Sequence, residues 1–252
     1  MVRLKASETA NASHSLEEVV DQLLGGKDKV RILEAGAGSK SHFRHKPDSH
    51  IVGVDISQEQ LDRSTYLHEK ILGDIQEHGL PKSAFDLIIC WDVLEHLDKP
   101  IHAVENFADA VCDGGLIFIA MPNILTVRGL LTKAAPHWLK VLYYRYVVGL
   151  PEAGEPGHYP FKAFHRIAIS APSIVQFASE HNLSVARLKY TTWDHSEYHY
   201  RIFMLFWVPL NAIVKALTFG VIGTDDKQGV QILLQKHAPA GAPREVRTLT
   251  PR

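Results

Sequence analysis

The 252-residue sequence is long enough for one large domain with insertions, and at 46% hydrophobic it can bury a substantial core. A formal net charge of −1 excludes the global basic field that draws in nucleic acid. Its two cysteines, Cys90 and Cys112, each lie in an apolar segment and read as buried free thiols of a reducing compartment, not as a disulfide framework.

Residues 1–14 are small and polar, lack the apolar core of a secretory signal, and are expected to be a loose N-terminus. Ser15-Leu-Glu-Glu18 is a capping box opening a helix with Leu16, Val19, Val20, Leu23 and Leu24 on one side, stopped by Gly25-Gly26. Val30 to Leu33 reads as a strand running into Glu34-Ala35-Gly36-Ala37-Gly38. A second strand, Ile51 to Val54, ends at Asp55, and a short one, Lys70 to Leu72, precedes Gly73-Asp74. Phe85 to Cys90 is a third strong apolar run, followed by Trp91-Asp-Val-Leu-Glu-His96. Pro100 marks a helix start, with Ile101, Val104, Ala108 and Val111 at helical spacing. Asp113-Gly-Gly115 is expected to end that helix and turn into a strand, Leu116 to Ala120. Strands that are apolar throughout, alternating with helices, belong to a parallel sheet covered on both faces.

After Asn123 the rhythm breaks. Two apolar, aromatic helical pieces are expected within 124–150, then a Gly/Pro-rich loop and a helix from about Ser170 to His181. Val185 to Tyr190 and Gly229 to Gln235 read as strands, and the Pro- and Ala-rich tail 238–252 as disordered. The apolar stretch 202–223 is long enough to span a bilayer, but Pro209, Asn211 and Lys215 lie near its middle. A central lysine costs about 2.5–3.5 kcal/mol on insertion, so a helical lid or a helix in the membrane interface is the better reading.

A glycine-rich turn after a first strand lets backbone approach a ligand closely, though by itself it is an ordinary tight turn. Asp55, seventeen residues beyond Gly38 and at the next strand end, gives it meaning, because a carboxylate there can accept hydrogen bonds from both ribose hydroxyls. Gly73-Asp74-Ile75 adds a carboxylate for an adenine amino group beside an apolar side chain, and Cys90-Trp91-Asp92 a fourth strand end.

The segments LEAGAGS (33–39), VGVDIS (52–57), LGDI (72–75), FDLIICWDVLEHLDKP (85–100) and DGGLIFIAMPN (113–123) resemble the class I S-adenosylmethionine-dependent methyltransferases, in the branch of ubiquinone-biosynthesis and natural-product enzymes. The resemblance implies a Rossmann-like α/β fold, a doubly wound seven-stranded sheet with one antiparallel strand. The domain would span 15–237, with apolar helical inserts at about 124–165 and 200–224, and S-adenosylmethionine would be the methyl donor. It places Glu34, Ala35, Gly36 and Gly38 around the methionine portion, Asp55 and Ile56 at the ribose and adenine edge, Asp74 and Ile75 at the adenine, and Trp91 near the amino group. Two departures stand out. Ser39 replaces a third glycine, and only twelve residues, with Pro47 among them, separate Gly38 from Ile51, so the first crossover helix must be short or absent. A nicotinamide dinucleotide is disfavoured because its pyrophosphate needs that glycine and a helix N-terminus.

For a hydroxyl acceptor a histidine is the natural proton acceptor; His165 and His96 are the candidates, with His158, His195 and His199 as further options and no metal site. The resulting expectation is a cytoplasmic methyltransferase of a small, hydrophobic acceptor, oxygen preferred over nitrogen or carbon, with peripheral membrane contact or a homodimer through the apolar inserts. The alternative is a non-catalytic adenosyl-binding scaffold. Protein and RNA substrates are disfavoured by the neutral charge.

Overall fold

A computed structural model describes residues 15–27, 29–126, 135–146, 149–155, 169–191, 209, 212–218 and 228–237. Helix α1 (Leu16–Leu23) leads into β1 (Arg31–Ala35) and β2 (His50–Asp55), followed by α2 (Gln58–Arg63), β3 (Glu69–Leu72) and β4 (Phe85–Trp91). A 3-10 turn, Leu94–His96, and α3 (Pro100–Ala110) connect β4 to β5 (Val111–Pro122). Then come α4 (His137–Tyr146), α5 (Ala171–Glu180), β6 (Leu183–Thr191) and β7 (Gly229–Lys236). The strands form one seven-stranded sheet in the order β3-β2-β1-β4-β5-β7-β6, in which β7 runs antiparallel to both neighbours and the other pairs are parallel. This is the doubly wound sheet with one antiparallel strand that the sequence implied.

Alternation along the central strands sorts side chains to two faces. Leu33, Ile88, Cys90, Ile117 and Ile119 enter one core with Phe107 of α3 and Ile174 and Phe177 of α5. Ile32, Leu87, Ile89, Leu116 and Phe118 enter the other, which is covered by Val19, Val20 and Leu24 of the α1 region and by Phe43. The cover of this second face follows from the missing crossover helix: no helix lies between β1 and β2, and Phe43 from the connecting segment is buried in its stead. α1 is fixed by its capping box, where Glu18 N donates to Ser15 Oγ (3.1 Å) and Ser15 N to Glu18 Oε2 (2.9 Å). A cavity of ≈ 390 Å³ remains between α1 and this segment, lined by Val20, Leu24, Phe43, His45 and Leu87 among others.

One expectation is corrected. Asp113-Gly-Gly115 does not separate α3 from the strand: β5 already starts at Val111, and the ladder jumps from Phe85↔Val111 to Leu87↔Leu116, so the sequence between loops out of register. Gly114, at φ 76°, supplies the left-handed backbone such a bulge needs. Of the two helical pieces expected within 124–150, α4 is one; Asn123 to Thr126 forms a turn in which Leu125 N donates to Asn123 Oδ1 (3.1 Å), and 127–134 and 147–148 lie outside the described residues. The expected loose N-terminus 1–14, the tail 238–252, and all of 202–223 except 209 and 212–218 lie outside the described residues. Among the described residues, no helix is long and apolar enough to cross a membrane.

Candidate functional site

The carboxyl ends of β1, β2 and β3 are tied together by backbone. Gly36 N and Ala37 N both donate to Val54 O (2.8 and 3.1 Å), and Gly73 N donates to Asp55 O (3.0 Å). The glycine turn, Asp55 and Asp74 therefore converge on one edge of the sheet, as their order in the sequence suggested. Gly36 (φ 72°) and Gly38 (φ 54°) both adopt left-handed backbone. A Cβ at Gly36 would run into Val93, whereas one at Gly38 would meet open space, so the turn is packed from below and free above.

Asp55 accepts from Gly38 N through Oδ2 (2.8 Å) and from Ser57 N through Oδ1 (2.8 Å). Each oxygen keeps a further lone pair, which is what a pair of ribose hydroxyls requires. Beside it, Ile56 is 77% exposed, an apolar surface at the mouth of the edge. Asp74 is engaged through both oxygens by Gln76, whose backbone N donates at 2.8 Å and whose amide donates at 3.0 Å to each oxygen. Ile75 is placed differently from Ile56: its side chain is buried in the core, and its carbonyl accepts from Asn106 of α3 (2.9 Å). Trp91 is half-buried at the end of β4, stacked on His42 (5.5 Å between centroids) and tilted against Phe118.

Glu34 is buried at the end of β1, with Ser41 donating to its Oε1 and His45 Nε2 2.9 Å from the same oxygen. His45 stacks on Tyr66 (5.9 Å), whose hydroxyl donates to Ala37 O (2.8 Å) and so holds the glycine turn from outside. Burial first, and then the carboxylates of Glu34 and Asp55, push the Tyr66 phenol well up, so it stays a neutral donor. The sequence reading did not single out Ser41, His45 and Tyr66: Ser41 and His45 stand in the polar segment left where the first crossover helix is short or absent, and Tyr66 lies between α2 and β3.

Asp92 follows β4 with φ 52°, an unusual backbone for a residue other than glycine, and its N–H donates to Ala120 O (2.9 Å). This sharp turn seats Val93 under the glycine turn. Two residues on, Glu95 is buried, and its Oε2 has no hydrogen-bond partner. Burial, and secondarily the Asp92 carboxylate, push the Glu95 carboxyl up to about 8. Burial likewise raises Asp92, against the opposing effects of His42 and His96. His96 sits on the same 3-10 turn, with Nε2 4.0 Å from Glu95 Oε1. His165, His158, His195 and His199 lie outside the described residues. Among the described residues, no cluster of three His, Cys, Asp or Glu side chains is arranged to hold a metal.

The residues present fit an adenosyl sulfonium. Carboxylates at 34, 55 and 74 suit hydroxyls, an amine and a cationic sulfur, and the open space above Gly38 leaves room for a close approach to backbone. They do not suit a pyrophosphate, since no helix follows the glycine turn.

Comparison with known proteins agrees with this geometry. A family model described as "Methyltransferase domain" matches residues 9–187. The ubiquinone biosynthesis O-methyltransferase of Shewanella halifaxensis is 26% identical over 117 residues, 41% of this chain and 48% of that protein. An uncharacterized methyltransferase of Schizosaccharomyces pombe is 28% identical over 118 residues, 40% of this chain and 42% of that one. The chain thus spans about half the length of the curated relatives it matches. Among solved structures, an S-adenosylmethionine-dependent methyltransferase from Mesorhizobium loti superposes with a TM-score of 0.55 at 12% identity, covering 87% of this chain and 96% of that one. The [4+2]-cyclase SpnF superposes at 0.51 and 12% identity, covering 88% and 81%. At these identities the structural likeness concerns the fold alone.

Proposed function

The chain belongs to the methyltransferase-domain family, and from that premise we propose that it transfers the methyl group of S-adenosylmethionine to a small, hydrophobic acceptor, oxygen preferred over nitrogen or carbon. The observation that carries the reading is the convergence of the glycine turn, Asp55 and Asp74 on one sheet edge, with Asp55 bound to the turn itself through Gly38 N. The O-methyltransferase named above supports the preference for oxygen.

When bound, the donor supplies an electrophilic methyl on a sulfonium sulfur. Asp55 would hold the ribose hydroxyls, Ile56 and Asp74 would flank the adenine, with Ile75 behind them in the core, and Glu34, Ala35, Gly36 and Gly38 would border the methionine portion, with Trp91 towards its amino group. Transfer of that methyl would require the acceptor to be aligned and water excluded, which is the part left to the chain's own residues. The acceptor hydroxyl's proton goes to a histidine, His165 or His96; His96 is on the carboxyl edge beside Asp92 and Glu95.

Equilibrium titration with S-adenosylmethionine tests the binding half of this reading. Asp55→Ala should weaken affinity by about 1–3 kcal/mol through lost charged hydrogen bonds. Wild-type protein that fails to bind, or a variant that binds equally well, would remove the reading. Formation of S-adenosylhomocysteine with a panel of phenols, acids and amines tests turnover, and its absence across the panel would favour an adenosyl-binding scaffold.

A further inference from the structure

α4 has no buried residue, and five of its seven exposed side chains are aromatic or aliphatic. Trp138, Leu139, Leu142, Tyr143 and Tyr146 are all exposed, Trp138 by 63% and Tyr146 by 79%. At about 100° per residue these five fall within an arc of roughly 140°. Lys140, Val141 and Tyr144, on the opposite side, are the partly covered positions. That side rests on the 149–155 segment, where Val141 lies against Gly154, Leu150 N donates to Tyr144 O (2.9 Å) and Arg145 Nε donates to Ala153 O (2.7 Å). The helix is therefore docked by its narrower face and presents its wider aromatic face outward.

Charge decides what that face meets. The helix carries Lys140 and Arg145 and no acidic residue; by the same angular reckoning Arg145 stands about 20° from one edge of the apolar arc, and the partly covered Lys140 about 60° from the other, within reach of its long side chain. Aromatic and leucine side chains between cationic edges match the boundary between lipid headgroups and acyl chains, where tryptophan and tyrosine concentrate and basic side chains reach the phosphates. A second copy of the same face would set cations against cations. The turn of helix at 212–218 has the same chemistry, with Ile213, Leu217 and Lys215 exposed.

We propose that α4 lies in the headgroup layer of an anionic membrane surface, with Trp138, Leu139, Leu142, Tyr143 and Tyr146 inserted and Lys140 and Arg145 at its edges. The chain is then peripheral to that surface, held by one face of one helix.

Flotation of the full chain with vesicles of phosphatidylcholine, with and without phosphatidylglycerol, tests this. The expected result is about tenfold stronger binding to the anionic vesicles, weakened by salt, and a loss of about tenfold in the Trp138→Ser, Tyr146→Ser double variant with unchanged circular dichroism. Lys140→Gln with Arg145→Gln should remove the preference for phosphatidylglycerol. As a measurement on the native fold, brominated lipids should quench wild-type tryptophan fluorescence more than that of Trp138→Phe. No vesicle binding, binding indifferent to the double variant, equal quenching in Trp138→Phe, or a dimer in sedimentation that the double variant dissolves would each overturn the proposal. Cofactor titration reads a different site, so failure of either proposal leaves the other standing.

Discussion

Replacing Glu95 with glutamine removes a buried ionisation while keeping the shape of the side chain. In the native protein this carboxyl titrates at about 8 instead of 4.5, chiefly through burial and secondarily through Asp92, and its Oε2 is unpaired. A raised carboxyl binds its proton more tightly in the folded than in the unfolded chain. The associated stability is thus fully present below pH 4.5, declines as pH rises from there to about 8, and is then gone. The wild type should lose about 3 kcal/mol from this group by pH 7 and about 5 kcal/mol by pH 8.5. Glutamine has no such dependence, and Asp92 titrates in both proteins. Urea unfolding of both at pH 4.5, 7 and 8.5 should show the variant gaining on the wild type as pH rises, read as a growing difference in midpoint at constant slope. A difference between the two that stays flat across this range would refute the assignment of a neutral, buried Glu95.

Gly36→Ala forces a side chain into Val93 from a left-handed backbone; it should cost about 1–3 kcal/mol in thermal unfolding and weaken S-adenosylmethionine binding, and unchanged values in both would contradict the packed turn. His45→Ala leaves the Glu34 carboxylate buried with Ser41 as its remaining side-chain partner, for an expected loss of about 1–3 kcal/mol in denaturant unfolding. Cys90 is fully buried with its thiol pushed up by burial, whereas Cys112 is partly exposed, so a thiol reagent should label one site in the native protein and two after unfolding. Rapid labelling of both in the native state would contradict the packing of β4.

The strand ends were legible because the chemistry there is local. Glycines, an aspartate and an apolar run in fixed order announce β1, β2 and β4, and the structure brings their ends together. Ile56 and Ile75 show the limit of that reading. Both follow a strand-end aspartate, yet one is exposed and the other is in the core, since α3 draws the 75–76 segment inward through Asn106. The cover of the second sheet face was hidden for a similar reason. Phe43 stands in a polar, His-rich segment without periodicity, and its burial depends on α1 arriving from earlier in the chain. Asp92 and Glu95 stand within a legible motif, but the left-handed turn of one and the desolvation of the other arise only when β5 and α3 pack against the 3-10 turn.

Among the described residues β7 is the last strand in sequence, and it lies between β5 and β6, where Lys236 Nζ also donates to Ala108 O and Val111 O at the end of α3. On the ribosome, residues 31–122 emerge with every segment of the proposed cofactor edge long before Gly229–Lys236 are synthesised. During that interval the β5 edge, with Leu116 to Met121 behind it, has no strand to pair with on that side. A nascent chain arrested before residue 229 therefore exposes a sticky template for chaperones or for other chains, and the emergence of Gly229–Lys236, not assembly of the proposed cofactor edge, completes the sheet.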